Sequence, residues 1–251
     1  MTADGSPGPG RLGMAAPAPR AVLLDALGTL VELVDPWAAL ARELAARGAR
    51  VAEADARRAL LAEMAYYRAH HDEAVDAPTL EALRDRCAGV LRAALPEAAS
   101  LLPPAAIRDA LLAALRFRAF DDAAPALDAL RTAGVRLVVV SNWDVSLHGV
   151  LRDTRLAERV DGVLTSAEER VAKPAPQIFA RALERAGGIP VHRALHVGDS
   201  VDMDVAGARA AGIPAVLIAR HGPEGGPEGL PAGVRVIRSL SEVVPGGLPT
   251  F

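Results

Sequence analysis

A single cysteine, Cys87, cannot form an internal disulfide, and the lack of a cysteine framework fits a reducing cytoplasm. It falls in a helical pattern over 79–95, where a buried small hydrophobe is the expected role. No unbroken apolar run is long enough to span a bilayer, and residues 1–19, dominated by Gly, Pro and Ala, lack the apolar core of a signal peptide. They read as a disordered tail in which Met14 is an alternative start. Strong charge is missing too: a net charge of -3 gives no electrostatic case for nucleic acid or an anionic membrane surface, which need a basic face. The expected partner is a small molecule, and the expected state is a monomer or homodimer. The most telling scarcity is of two residue types, because the chain has 27 arginines but only one lysine, Lys173, and one asparagine, Asn142. In a composition pushed toward Ala, Arg, Gly, Pro, Leu and Val, these two mark places where the fold or its chemistry has no substitute.

What is present is ample for a core: 251 residues, of which 51% are apolar. Short apolar runs at 21–24, 137–140, 194–197 and 215–218, each ending in polar residues or glycine, read as buried parallel strands, and 162–164 adds another. Helical patterns at 123–132, 176–186 and 202–211 lie between them and stop at Gly134, Gly187 and Gly212. This alternation predicts an α/β fold, a Rossmann-like doubly wound parallel sheet, whose ligands bind beyond the carboxyl ends of the strands. The stretch 36–117 breaks the rhythm with helical patterns near 37–47, 52–70, 79–95 and 104–115, which reads as an inserted α-helical cap. The core is then 20–35 and 118–245, and the Gly-Pro-Glu segment 222–229 is a loop by composition.

Four polar segments fall at predicted strand ends or in the loop that follows. Asp25, in the run LDALGT at 24–29, would project from the sheet edge on a turn where Gly28 and Thr29 bring backbone amides toward a ligand. Such a carboxylate can attack phosphorus and form an aspartyl phosphate, although a lone Asp at a strand end more often serves a turn. Ser141 and Asn142 offer a hydroxyl, an amide and backbone N–H groups to phosphoryl oxygens, or else an N-cap for a helix starting near Val145. Lys173, in VAKPAP at 171–176, supplies a compact charge that can neutralise a phosphoryl group and hold a carboxylate. Asp199 and Asp204, in HVGDSVDMD at 196–204, could complete a Mg²⁺ site with Asp25, since this hard ion prefers oxygen ligands, or could dress a helix N-terminus, the role expected of Asp202.

In this order the segments resemble the four motifs of the haloacid dehalogenase-like hydrolase superfamily, from about residue 20 to 220, with the cap inserted after the first motif as in its subfamily I. The resemblance implies Mg²⁺-dependent phosphatase chemistry on a small phosphorylated metabolite. Asp25 would be the nucleophile, Lys173 the charge stabiliser, and the metal would be held by Asp25, the carbonyl of Leu27 and Asp199, with Asp204 in support. One position departs from that pattern. Phosphatases of the family carry an acid two residues after the nucleophile, and here it is Leu27, which can neither protonate a leaving group nor activate water. Asp144 is the nearest substitute by sequence. The 2-haloacid dehalogenases, which attack carbon, are the alternative, as is a weakly catalytic member that binds a phosphorylated ligand or a protein; Asp199 argues for phosphoryl chemistry. In the cap, Tyr67 with His71 or Tyr66 with His70 could face the cleft as i, i+4 pairs, though packing on an amphipathic helix is equally expected. His196 reads as a core residue or a support to the site, and Trp143 as the pocket floor or as packing under the cap.

Overall fold

The computed structural model describes residues 18–221 and 229–244. The expectations for 1–17, Met14 and most of the 222–229 loop lie outside those residues. Strand β1 (Ala21–Leu24) is buried along its whole length, consistent with an unbroken aliphatic run enclosed on both faces. It is followed by a short strand β2 (Val31–Leu33) and by helices α1 (Pro36–Ala46), α2 (Glu53–His70), α3 (Ala77–Ala94), α4 (Glu97–Ser100) and α5 (Pro104–Ala114). The chain returns through β3 (Phe117–Ala119), then α6 (Ala123–Thr132), β4 (Arg136–Ser141), α7 (Leu147–Asp153), β5 (Gly162–Thr165), α8 (Ser166–Glu169) and α9 (Pro176–Arg185). It ends with β6 (Ala194–Gly198), a π-helical turn at Val201–Ala206, α10 (Gly207–Ala210), β7 (Ala215–Ile218) and β8 (Arg235–Ile237).

Six strands form one parallel sheet in the order β5-β4-β1-β6-β7-β8, so β1 lies at the centre with β4 and β6 beside it. In such a sheet the crevice at the carboxyl ends of these neighbouring strands is where a ligand settles. Leu24, Ser141 and Gly198 all end their strands on that edge. Two aliphatic clusters cover the two faces of the sheet, one around Leu127, Leu137 and Trp143 and the other around Phe179, Ile178 and Val205. A third, built from Leu40, Leu60, Leu83, Leu91 and Leu111, belongs wholly to the helices between residues 36 and 115. That segment therefore has its own core and sits as a cap on the sheet edge.

The helical patterns read from the sequence appear, and α3 opens on a capping box in which the Asp76 carboxylate accepts from the Thr79 N–H at 2.9 Å. Three features were not anticipated. The cap is joined to the core by an antiparallel ribbon in which Val31 pairs with Ala119 and Leu33 with Phe117, strands of three residues each and too short to carry a readable alternation. The helix expected at 202–211 instead begins as the π turn, where the Val205 N–H reaches back five residues to the Ser200 carbonyl at 3.1 Å. Strand β8, also three residues long, is a further edge strand that lacked a clear apolar run.

Phe179 is the largest fully buried side chain and stands edge-on to His196, with ring centroids 5.1 Å apart. Truncation to Ala should cost about 3–5 kcal/mol, as for other buried aromatics, and urea unfolding followed by circular dichroism measures it.

Candidate active site

Asp25 follows β1 directly, and burial on the sheet edge raises its pKa because the charged form is stripped of water. The Lys173 ammonium opposes this: its Nζ lies 2.6 Å from Asp25 Oδ1 and 2.6 Å from Asp204 Oδ1. Burial alone would neutralise Lys173, but the two carboxylates outweigh it and keep the amine protonated. Ser141 Oγ donates to the same Asp25 Oδ1 at 2.9 Å. The Oδ2 atom of Asp25 receives no hydrogen bond from the described residues, so one oxygen is anchored and the other is left to react.

Asn142 turns out to act on the backbone. Its Nδ2 donates to the Lys173 carbonyl at 2.9 Å, and the Lys173 N–H donates to its Oδ1 at 2.8 Å. Both ends of the amide are thus occupied in holding the Lys173 loop, instead of pointing at phosphoryl oxygens. The only Asn and the only Lys of the chain are bonded to each other, and only a primary amide presents a donor and an acceptor with this spacing.

Asp204 projects from the π turn and is nearly saturated. Oδ1 takes Lys173 and His196 Nε2, the latter at 2.9 Å, and Oδ2 takes the Ser200 N–H at 3.0 Å. Despite its burial, these donors hold the Asp204 carboxyl well below the usual carboxylate range. His196 is fully buried in β6, so its place is in the core, in support of the site. Asp199, at the end of β6, is open to the cleft. Desolvation there and the charges of Asp25 and Asp204 push its pKa up to about 7.

The Asp25, Asp199 and Asp204 oxygens lie within 4.8 Å of one another, three carboxylates facing one ammonium. This surplus of negative charge suits a divalent cation with oxygen preference. The Leu27 carbonyl also accepts no hydrogen bond from the described residues, and its side chain is 44% exposed, so the backbone oxygen is available whatever the side chain. Asp25, Leu27 and Asp199 therefore fit as ligands and Asp204 as their support. Gly28 makes the approach possible: with φ at +79° it occupies a left-handed conformation, and a Cβ there would lie 2.1 Å from Asp199 Oδ2. Thr29 is fully buried one residue on and lines neither cavity beside the site.

The cleft above Asp25 is a cavity of about 890 Å³ walled by the cap. Of the two Tyr/His pairs, Tyr67 and His71 face it, whereas Tyr66 and His70 stack on each other outside it with centroids 3.9 Å apart. Asp144 borders the same cavity but its carboxylate is engaged: Tyr67 OH donates to Oδ2 at 3.0 Å and the Ser146 N–H to Oδ1 at 2.6 Å. It joins cap to core. Burial and this bond keep the Tyr67 phenol protonated far above its ordinary range. Glu63, which also lines the cavity, was not anticipated, because a single Glu on an amphipathic helix is ordinary.

The model of the haloacid dehalogenase-like hydrolase family matches residues 19–212. Over 136 residues the chain is 38% identical to haloacid dehalogenase-like hydrolase domain-containing protein 3 of Homo sapiens, which is 51% of each chain. It is 35% identical over 118 residues to the pyrimidine 5'-nucleotidase YjjG of Escherichia coli, 47% of this chain and 51% of that one. The chain thus spans about half the length of the curated relatives it matches. A crystal structure of a dehalogenase superposes with a TM-score of 0.64 at 27% identity, covering 90% of this chain and 96% of that one.

Gly28→Ala combines backbone strain with a clash against Asp199. Isothermal titration calorimetry with Mg²⁺ should show affinity at least about tenfold weaker than wild type, as for loss of a supporting contact at a metal site, while thermal unfolding stays cooperative.

Proposed function

Because the chain belongs to the haloacid dehalogenase-like hydrolases, we propose that it is a Mg²⁺-dependent phosphatase acting on a small phosphorylated metabolite through an aspartyl phosphate on Asp25. The observation that carries this is the surplus of carboxylate charge around Lys173. An enzyme attacking carbon to expel a halide has no need of Asp199, whereas a phosphoryl group brings negative charge that a cation must offset. A bound Mg²⁺ would neutralise phosphoryl oxygens and draw electron density from phosphorus.

The chain's own groups divide the remaining work. Ser141 and Lys173 fix Asp25 Oδ1, which leaves Oδ2 as the nucleophile. Its attack forms a P–O bond to the carboxylate while the bond from phosphorus to the substrate oxygen breaks. Lys173 stays protonated and faces the charge that accumulates on the transferred group. The departing oxygen finds no acid at residue 27. Water then hydrolyses the acyl phosphate and restores the carboxylate. Asp144 is poorly placed to take over as acid, since both of its carboxylate oxygens are already engaged, by Tyr67 and by the Ser146 N–H.

A second reading, a 2-haloacid dehalogenase, draws support from Leu27: carbon attack expels a halide, which needs no proton. The structural likeness to a dehalogenase supports it as well.

Hydrolysis of p-nitrophenyl phosphate and acetyl phosphate separates the two, because neither leaving group needs much protonation. Wild type should turn both over only with Mg²⁺, and Asp25→Asn should abolish the signal. Leu27→Asp should raise the rate on an alkyl phosphate by about 10²-fold or more, the scale of general acid–base help. No phosphate release by wild type, with metal-independent chloride release from 2-chloropropionate, would establish the second reading instead.

A further inference from the structure

Helix α2 presents a polar stripe to the cleft. Glu63 and Tyr67 stand four residues apart and share one face, His71 follows directly after the helix, and all three line the cavity. Two of them are committed elsewhere: Tyr67 to Asp144, and His71 to Asp72 at 2.9 Å. Glu63 differs. It is only 4% exposed, no Lys, Arg or His among the described residues pairs with it, and the polar group beside its carboxylate is the Cys87 thiol, a weak donor. Leu80, Leu83, Leu111 and Leu115 border the same cavity, as do the cap arginines Arg68 and Arg84, neither of which pairs with Glu63.

A carboxyl group in such a wall is costly, because burial removes its water and one thiol restores little. Burial raises the Glu63 pKa, because the charged form is stripped of water. Leucine would fit the amphipathic pattern of α2 and pack against Leu60 and Leu83 in the cap core without that cost. A buried polar group that lowers stability and faces a ligand cavity is the usual mark of a binding function.

We propose that Glu63 is the specificity-determining residue of the cleft and reads a hydrogen-bond donor, hydroxyl or amine, on the substrate at the end remote from its phosphate. The assignment rests on the phosphatase reading above and adds the class of substrate: an organic phosphate with a polar-ended alcohol portion, the phosphate on the sheet edge at Asp25 and the donor under the cap. The cavity wall also includes Leu33, Phe117 and Trp143, which can pack against apolar parts of the substrate.

The test uses non-hydrolysable phosphonates of two to six carbons that end in a hydroxyl, an amine or a methyl group. They compete with p-nitrophenyl phosphate in the presence of Mg²⁺, and their affinities are measured again by calorimetry. In wild type, at the best chain length, one of the donor-ended compounds should bind at least about tenfold more tightly than the methyl-ended one, the scale of one buried hydrogen bond. Glu63→Leu should erase or reverse that ratio while raising the unfolding temperature. Glu63→Gln should keep a hydroxyl preference and lose an amine preference. Because the readout is a ratio within each variant, a change in turnover common to all ligands cancels. An unchanged ratio in Glu63→Leu, or no donor preference in wild type, overturns the assignment. Wild type that hydrolyses no phosphate ester overturns the phosphatase reading, and the calorimetric ratio still judges Glu63.

Discussion

The Lys173 ammonium, held 2.6 Å from both Asp25 and Asp204, is the interaction on which the site is built. It ties together the end of β1, the π turn after β6 and the loop before α9, which are far apart in sequence. A buried ion cluster repays its desolvation only when the remaining lone pairs and protons are satisfied. Here Ser141 supports Asp25 Oδ1 while Oδ2 stays open to react, His196 and the Ser200 N–H complete Asp204, and Asn142 fixes the backbone from which the lysine extends. Arginine could not replace this lysine, because a planar fork cannot sit as a point charge between two carboxylates. That explains why a chain with 27 arginines keeps a lysine at this position.

The same cluster demands close backbone approach, and glycine supplies it. A Cβ on Gly198 would lie 2.1 Å from the Asp204 Cγ, so only glycine lets the strand pass beneath that carboxylate. On the far side of the π turn, a Cβ on Gly207 would meet Phe179 at 2.8 Å and the Pro174 backbone at 2.9 Å. The turn is thereby pressed against the Lys-Pro loop. Its widened hydrogen bonding accompanies the inward aim of Asp204, in keeping with the frequent placement of π turns at functional sites.

The central sheet was legible in the sequence because its strands are buried on both faces and read as continuous aliphatic runs between glycine-stopped helices. Its edge, β8, and the β2–β3 ribbon were not, since three residues cannot establish a period. The charged members of the site were legible from residue type and place: Asp25, Lys173, Asp199 and Asp204 converge as their positions at strand ends suggested. Asn142 shows the limit of such reading. Its importance could be inferred from its rarity, but its task, holding a loop, depends on a contact across 31 residues that no local pattern reveals. Glu63 is the opposite case: glutamate is common on amphipathic helices, and only its place on the stripe of Ala56, Ala59 and Leu60 hints that it is buried.

Leu27 sets the chemistry apart from the scaffold. It borders both the cleft above Asp25 and a second cavity of about 510 Å³ lined by Phe120 and Arg220. On the phosphatase reading proposed above, an apolar side chain there would make the first step depend on how well the departing oxygen bears negative charge. Phosphoryl donors with acidic leaving groups, such as acyl or aryl phosphates, lose little, whereas simple alkyl phosphates forgo about 10²–10⁴-fold of acid assistance. On the readings proposed above, the polar cap wall and the apolar residue 27 would bear on different parts of the substrate, one through binding and the other through the barrier to departure.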